Sequence, residues 1–188
     1  MDKDGWYYNM ATIISGDSGG TAVTTATQTV LQTVNKVVST QGSQTITTTD
    51  SQIGSGTDFD ISITPLGSGS KFIISVRWFG EVNNPQDVVF NLQRGGTRIN
   101  TTSNDAWHGL SMPCVTYSAV NNTSSTPEIM YLQTVDNTGS TAGSAITYTL
   151  VATSDASETL YTNRSASYSG QNAYESGISE LQVVEISA

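Results

Sequence analysis

A single cysteine, a single histidine and four prolines are spread through 188 residues. One cysteine, Cys114, cannot build an intrachain disulfide framework or a multi-cysteine metal cluster. Flanked by apolar residues, it reads as a small buried hydrophobe. One histidine, His108, means that any histidine-based triad or metal site has to be assembled around that position. Charge is scarce too: Asp, Glu, Lys and Arg make up 12% of the chain, against about 25% in an average soluble domain. Only seven residues are basic and the net charge is −9, which argues against nucleic acid as a partner, since phosphate backbones are held by clustered Lys and Arg. No apolar run approaches the ~18 residues of a membrane span, so no membrane partner is expected. The opening "MDKDGWYYNM" is charged and lacks a following apolar stretch, so no secretory signal is expected. "MATIISGDSGG", from Met10, reads equally well as a translation start.

What fills the chain instead is Thr, Ser, Asn, Gln and Gly around short, regularly spaced aliphatic runs. Phe59, Ile61 and Ile63 alternate with polar residues in "TDFDISIT", and Pro65 with "GSGS" ends that run. "KFIISVRWFG" is the most apolar stretch, with Phe72, Ile74, Val76 and Trp78 on one face and Ile73 and Phe79 on the other. It is expected to be a strand buried on both sides. "DVVFNLQR", "TRIN", "LSMPCVTYSAV", "EIMYLQTV", "ITYTLVATS", "TLYTNRS" and "GISELQVVEIS" follow, most of them separated by turn-forming residues. Eight to ten short strands without a long helix predict an all-β domain, an antiparallel sandwich or barrel. The first residues differ. "SGDSGGTAVTTATQ" is small and polar and suits an extended N-terminal arm, expected over positions 1–29, leaving 30–188 as the β-domain. "TVLQTVNKVVST" fits a helical face at Val30, Leu31, Val34, Val37 and Val38, but its density of Val and Thr favours a strand.

Several groups invite a chemical reading, and each has a plainer one. His108, beside Trp107 in "NDAWHGL", could serve a Ser-His-carboxylate triad, but no GxSxG elbow surrounds any serine, and it reads as a loop residue. Asp58 and Asp60 fall on one strand face, and Glu128, Glu175, Glu180 and Glu185 are scattered further on. Nothing in the sequence brings two of them to the spacing of a glycosidase pair, and neither Asp58–Asp60 nor "DNTGS" has the spacing of a calcium loop. No catalytic, cofactor or metal residue is therefore assigned. The acceptor patterns at Asn100, Asn121, Asn122 and Asn163 are expected by chance in so Asn-, Ser- and Thr-rich a chain. Trp78 is expected in the core, while Trp107 and His108 are candidate surface contacts.

"NLQRGGTRIN" raises a sharper question, because Arg94-Gly95-Gly96 resembles a fragment of an RNA-binding or phosphate-cradling loop. An RGG segment needs repetition and a basic setting, and a phosphate loop needs glycines that lead into a helix. Here strand-like sequence continues on both sides. Gly95 and Gly96 are expected at positive φ in a two-residue hairpin turn, with Arg94 and Arg98 as surface or intersubunit ion-pair partners.

The order of these segments resembles a domain of tailed-bacteriophage virion-surface proteins, a trimeric jelly-roll found in fibres and capsid-decorating proteins, often of cyanophage-like viruses. Ile63-Thr64-Pro65 followed by Ser70-Lys71 matches its first strand pair. Phe90, Leu92, Arg94, Gly96, Thr97 and Ile99 match its hairpin, Asn163-Arg164-Ser165 a strand end, and "GIS" the start of its last strand. The resemblance runs from about Val30 to the C-terminus. It departs at "SNDAWHGLSMPCVTY" and "NNTSSTPEIMYLQTVDNTGSTAGS".

The resemblance implies a jelly-roll-like β-sandwich, association as a homotrimer, and a non-enzymatic structural role at the virion surface after assembly in the host cytoplasm. The expected function is that of a capsid decoration, or cement, protein bound to the major capsid protein or another virion protein. The alternative is a short tail or head fibre, or receptor-binding tip, whose loops around Trp107 and in 121–127 or 136–144 recognise a host glycan. A carbohydrate-active or carbohydrate-binding module outside a virus is a third reading.

Overall fold

The computed structural model describes residues 28–83, 88–101, 108–112, 126–167 and 175–188. Among them lie eleven strands: β1 (Val30–Val38), β2 (Gly42–Ile46), β3 (Ser51–Gln52), β4 (Asp60–Ile63), β5 (Lys71–Val82), β6 (Val89–Arg94), β7 (Thr97–Arg98), β8 (Glu128–Asp136), β9 (Ile146–Thr153), β10 (Glu158–Thr162) and β11 (Ser179–Ile186). They form two antiparallel sheets packed as a β-sandwich. The larger holds β1, β11, β5, β10 and β2 in that order, with β8 on the other side of β5. In the smaller, β9 pairs with β6 on one side and with β3 and β4 on the other, and β7 extends β6. From β4 to β10, every connection except the β6–β7 hairpin crosses between the sheets. The sequence segment 30–38 is a strand, as its β-branched residues require.

The core sits between the inner faces. Phe72, Ile74, Val76 and Trp78 of β5 are wholly buried, as are Phe90, Leu92, Tyr148 and Leu150 from the facing sheet. The Trp78 and Phe90 rings meet at 5.1 Å between centroids and Phe72 and Tyr148 at 6.1 Å. Burying each such side chain is worth roughly 1.5–3 kcal/mol. The opposite face of β5 departs from expectation: Ile73 and Phe79 are half-buried rather than enclosed, because no layer of described residues covers that side of the larger sheet over most of β5.

The strand expected over "TDFDISIT" begins only at Asp60. Gly54 and Gly56 take positive φ, the Asp58 carboxylate accepts the Ser55 N–H, and turn bonds join Asp58 to Ser55 and Asp60 to Thr57. Asp58 thus closes a turn and does not share a strand face with Asp60. Of the strand expected over "LSMPCVTYSAV", Ser111 forms a single bridge to Phe90, and 113–120 lie outside the described residues. Of the arm, only Gln28 and Thr29 are described; Thr29 exchanges hydrogen bonds with Ser187 beside the paired ends of β1 and β11.

Candidate functional site

Three polar clusters gather most of the residues singled out in the sequence. The first is the hairpin. Arg94 pairs with Thr97 across a two-residue turn in which Gly95 and Gly96 have φ of 57° and 85°, the type I′ geometry that matches strand twist. Arg94 then crosses from the smaller sheet to the end of β8. Its Nη1 donates to Asp136 Oδ2 at 2.8 Å and to Thr138 Oγ1, and its Nη2 to the Gly139 carbonyl. Tyr148 donates its hydroxyl to the same Asp136 oxygen at 2.7 Å, and the Thr138 hydroxyl and N–H close on the other oxygen. Burial pushes the Asp136 carboxyl up, but the bonds from Thr138, Tyr148 and Arg94 outweigh it and hold the group below the usual range. Burial, then the bond to Asp136 and its charge, push the Tyr148 phenol up.

The second cluster joins Arg98 to Asp50 at 2.5–3.0 Å through two guanidinium nitrogens. Gln93 donates to the same carboxylate, while Arg98 Nη1 and Asn91 Nδ2 both donate to the His108 carbonyl. His108 itself is exposed, and Trp107 lies outside the described residues. Of the surface or intersubunit ion pairs expected of Arg94 and Arg98, the structure shows one for each within the chain, to Asp136 and to Asp50. The Arg98 side chain is only 5% exposed, drawn in against Asp50 at the edge of the smaller sheet.

The third cluster explains "NRS" and "GIS". Along β5, β11 pairs with residues 71–77 and β10 with 80–82, leaving a break between them. Phe79 sits in the break; its N–H donates to Ser179 Oγ and its carbonyl accepts the Asn163 N–H. Asn163 is buried at φ 59°. Its Nδ2 donates to the Val38 and Thr40 carbonyls and its Oδ1 accepts the Ser179 hydroxyl. Arg164 lies over the Tyr161 ring at 4.8 Å and donates to the Gly42 carbonyl.

Sequence reasoning missed a fourth feature, on the outer face of the larger sheet. Strand register lines up transverse rows across β1, β11, β5 and β8: Val37–Glu180–Arg77–Tyr131, Asn35–Gln182–Ser75–Gln133 and Thr33–Val184–Ile73–Val135. The first two rows border an open depression of about 480 Å³. Arg77 Nε faces Glu180 at 3.4 Å, Gln182 Nε2 donates to Asn35 Oδ1 at 2.8 Å and Gln133 Nε2 to Ser75 Oγ at 3.0 Å. Tyr131 is 57% exposed. In both β8 and β11 these residues alternate with buried ones, but only the pairing of the strands sets them side by side.

Among the described residues, no three His, Cys, Asp or Glu side chains are grouped to hold a metal ion, and no helix is long and apolar enough to cross a membrane. Neither protein-family models nor curated proteins match this chain.

Proposed function

We propose that this is a non-enzymatic structural protein of a tailed-bacteriophage virion: a homotrimeric capsid decoration protein that binds the assembled shell of the major capsid protein. The observation that carries the reading is the use made of the residues behind the resemblance. Arg94, Gly96, Asn163 and Arg164 form part of a turn, an inter-sheet clasp and a strand junction. Holding turns and strands together in this way is work that fits a structural role.

Large exposed apolar side chains support an attachment role. Val30 and Leu66 are 59% and 63% exposed, at the end of β1 where the N-terminal residues join the domain. The 64–67 loop is held there by Gln32, which donates to the Thr64 carbonyl, and by Glu185, which accepts the Leu66 and Gly67 N–H groups. Arm and apolar patch would meet the shell together. A protein that binds the assembled lattice better than separate subunits stabilises it by mass action.

Imaging of particles that carry the protein tests this reading. Copies on the capsid lattice in groups of three support it. Copies confined to the tail would make the protein a short fibre tip, and a monomer in native mass measurements would remove the trimer.

A further inference from the structure

We propose that the depression on the outer face of the larger sheet binds an uncharged saccharide of one or two sugar rings, with Tyr131 as the stacking platform. The site lies on the strands β1, β11, β5 and β8 and does not depend on where the protein sits in a particle.

Three observations converge. The Tyr131 ring is exposed in the middle of a nine-residue strand, held at a fixed height because both neighbours, Met130 and Leu132, are buried. A rigid aromatic face open to solvent suits the apolar C–H face of a sugar ring, and the phenol remains available as a polar handle. Beside it, six polar side chains of rows one and two are bonded sideways in pairs within their own row, Arg77 with Glu180, Gln182 with Asn35 and Gln133 with Ser75. Gln182 and Gln133 each use Nε2, and Arg77 uses Nε. Gln182 Oε1, Gln133 Oε1, Asn35 Nδ2 and both Arg77 Nη groups are not used in these bonds and line the depression as donors and acceptors. A mixed, pre-oriented set of this kind matches hydroxyl groups, each of which both donates and accepts. The volume falls within the roughly 300–1,000 Å³ of small-ligand sites, and the open shape admits a chain end or an internal sugar.

Charge selects among occupants. Lys36 is spent on the Thr57 and Asp60 carbonyls, and Arg77 is balanced by Glu180, so the floor is close to neutral. The chain carries −9 overall, which disfavours a polyanionic ligand at long range. A protein surface laid over the depression would have to desolvate the Arg77–Glu180 pair. Sugar hydroxyls instead replace water bond for bond and leave the pair wet at its rim.

The test is a microarray of neutral and acidic oligosaccharides probed with the full chain, with hits titrated by calorimetry. Binding of neutral oligosaccharides is expected, with a loss of tenfold or more in Tyr131→Ala and in Arg77→Met/Gln182→Ala. Tyr131→Phe should retain most of the affinity, and His108→Ala all of it. Unchanged melting temperatures in these surface variants would separate lost binding from lost folding. The proposal is overturned if no saccharide on the array binds, or if binding persists undiminished in Tyr131→Ala. It is equally overturned if Tyr131→Ala dissociates the protein into smaller species while no saccharide binds, since the face would then be a subunit contact.

Discussion

Ser179 donates its hydroxyl to Asn163 Oδ1 at 2.7 Å while accepting the Phe79 N–H at 3.0 Å. Two residues sixteen apart thereby bridge the break where β5 changes partner, and Asn163 carries the link on to the end of β1. Asn163→Ala strands the buried Val38 carbonyl and the Ser179 hydroxyl. An unsatisfied buried group costs about 1–3 kcal/mol, so the expected loss is about 2–4 kcal/mol, read as a fall in melting temperature on the order of 5–15 °C. Asn163→Gly relieves the positive φ but keeps the loss of side-chain bonds. If the Gly variant matched the native protein, the bonds would not be what matters.

The two glycines Gly96 and Gly80 should fail for different reasons. A Cβ at Gly96 meets nothing within 4 Å, so Gly96→Val costs only the left-handed backbone, roughly 1–2 kcal/mol, and Gly96→Asn is nearly neutral. A Cβ at Gly80 would lie 2.0 Å from the Tyr161 carbonyl and 2.3 Å from the Trp78 ring. Backbone and a wholly buried indole cannot step aside, so Gly80→Ala should cost at least the usual 1–3 kcal/mol of overpacking. Denaturant titration of the pair checks the order, and a Gly80→Ala chain as stable as Gly96→Asn would contradict it.

Arg94 and Asp136 should behave as a coupled unit. A double-mutant cycle with Arg94→Met and Asp136→Asn is expected to give a coupling of roughly 1–3 kcal/mol, more than an exposed pair provides, since the carboxylate is only 2% exposed. Tyr148→Phe in the Asp136→Asn background should add little. Additive single variants would show that the clasp is incidental.

Acid stability should fall within a defined window. Burial pushes Glu185 up, but the N–H of Leu66, the Gln32 amide, the N–H of Gly67 and the Ser70 hydroxyl outweigh it and lower the group to about 2. A lowered folded-state value means that the unfolded chain binds the proton first. Its contribution is therefore complete above the ordinary glutamate value near 4.5 and is lost as pH falls toward 2. Asp136, also lowered, acts in the same direction. Glu185→Gln should flatten the slope of stability against pH in that interval, measured by denaturant midpoints. An unchanged slope would count against the assignment.

The sandwich was legible in the sequence because Phe72, Ile74, Val76 and Trp78 on one strand and Ile61 and Ile63 on another, with Phe59 just before it, leave one pattern that buries them. The hairpin was legible because two adjacent glycines between strands admit few turns. What stayed hidden was everything that depends on which strands are neighbours. Nothing local indicates that Arg94 will find Asp136, 42 positions on, or that Arg98 will find Asp50. The rows running through Arg77 and Tyr131 exist only once β11, β5 and β8 are aligned. Asp58 misled because a period-two pattern cannot distinguish a strand from a turn that happens to keep its parity, and the flanking Gly54 and Gly56 were the signal to weigh.

The junction at Phe79 also has a topological consequence. The Gly177 N–H donates to the Asn163 carbonyl, so the chain leaves the larger sheet and returns to it at the same point, with both ends fastened there. Chain between two pinned ends can lengthen at small entropic cost, about 0.6 kcal/mol per doubling. Residues inserted between these pins should therefore cost the fold little, so long as Asn163, Arg164 and Gly177 keep their bonds.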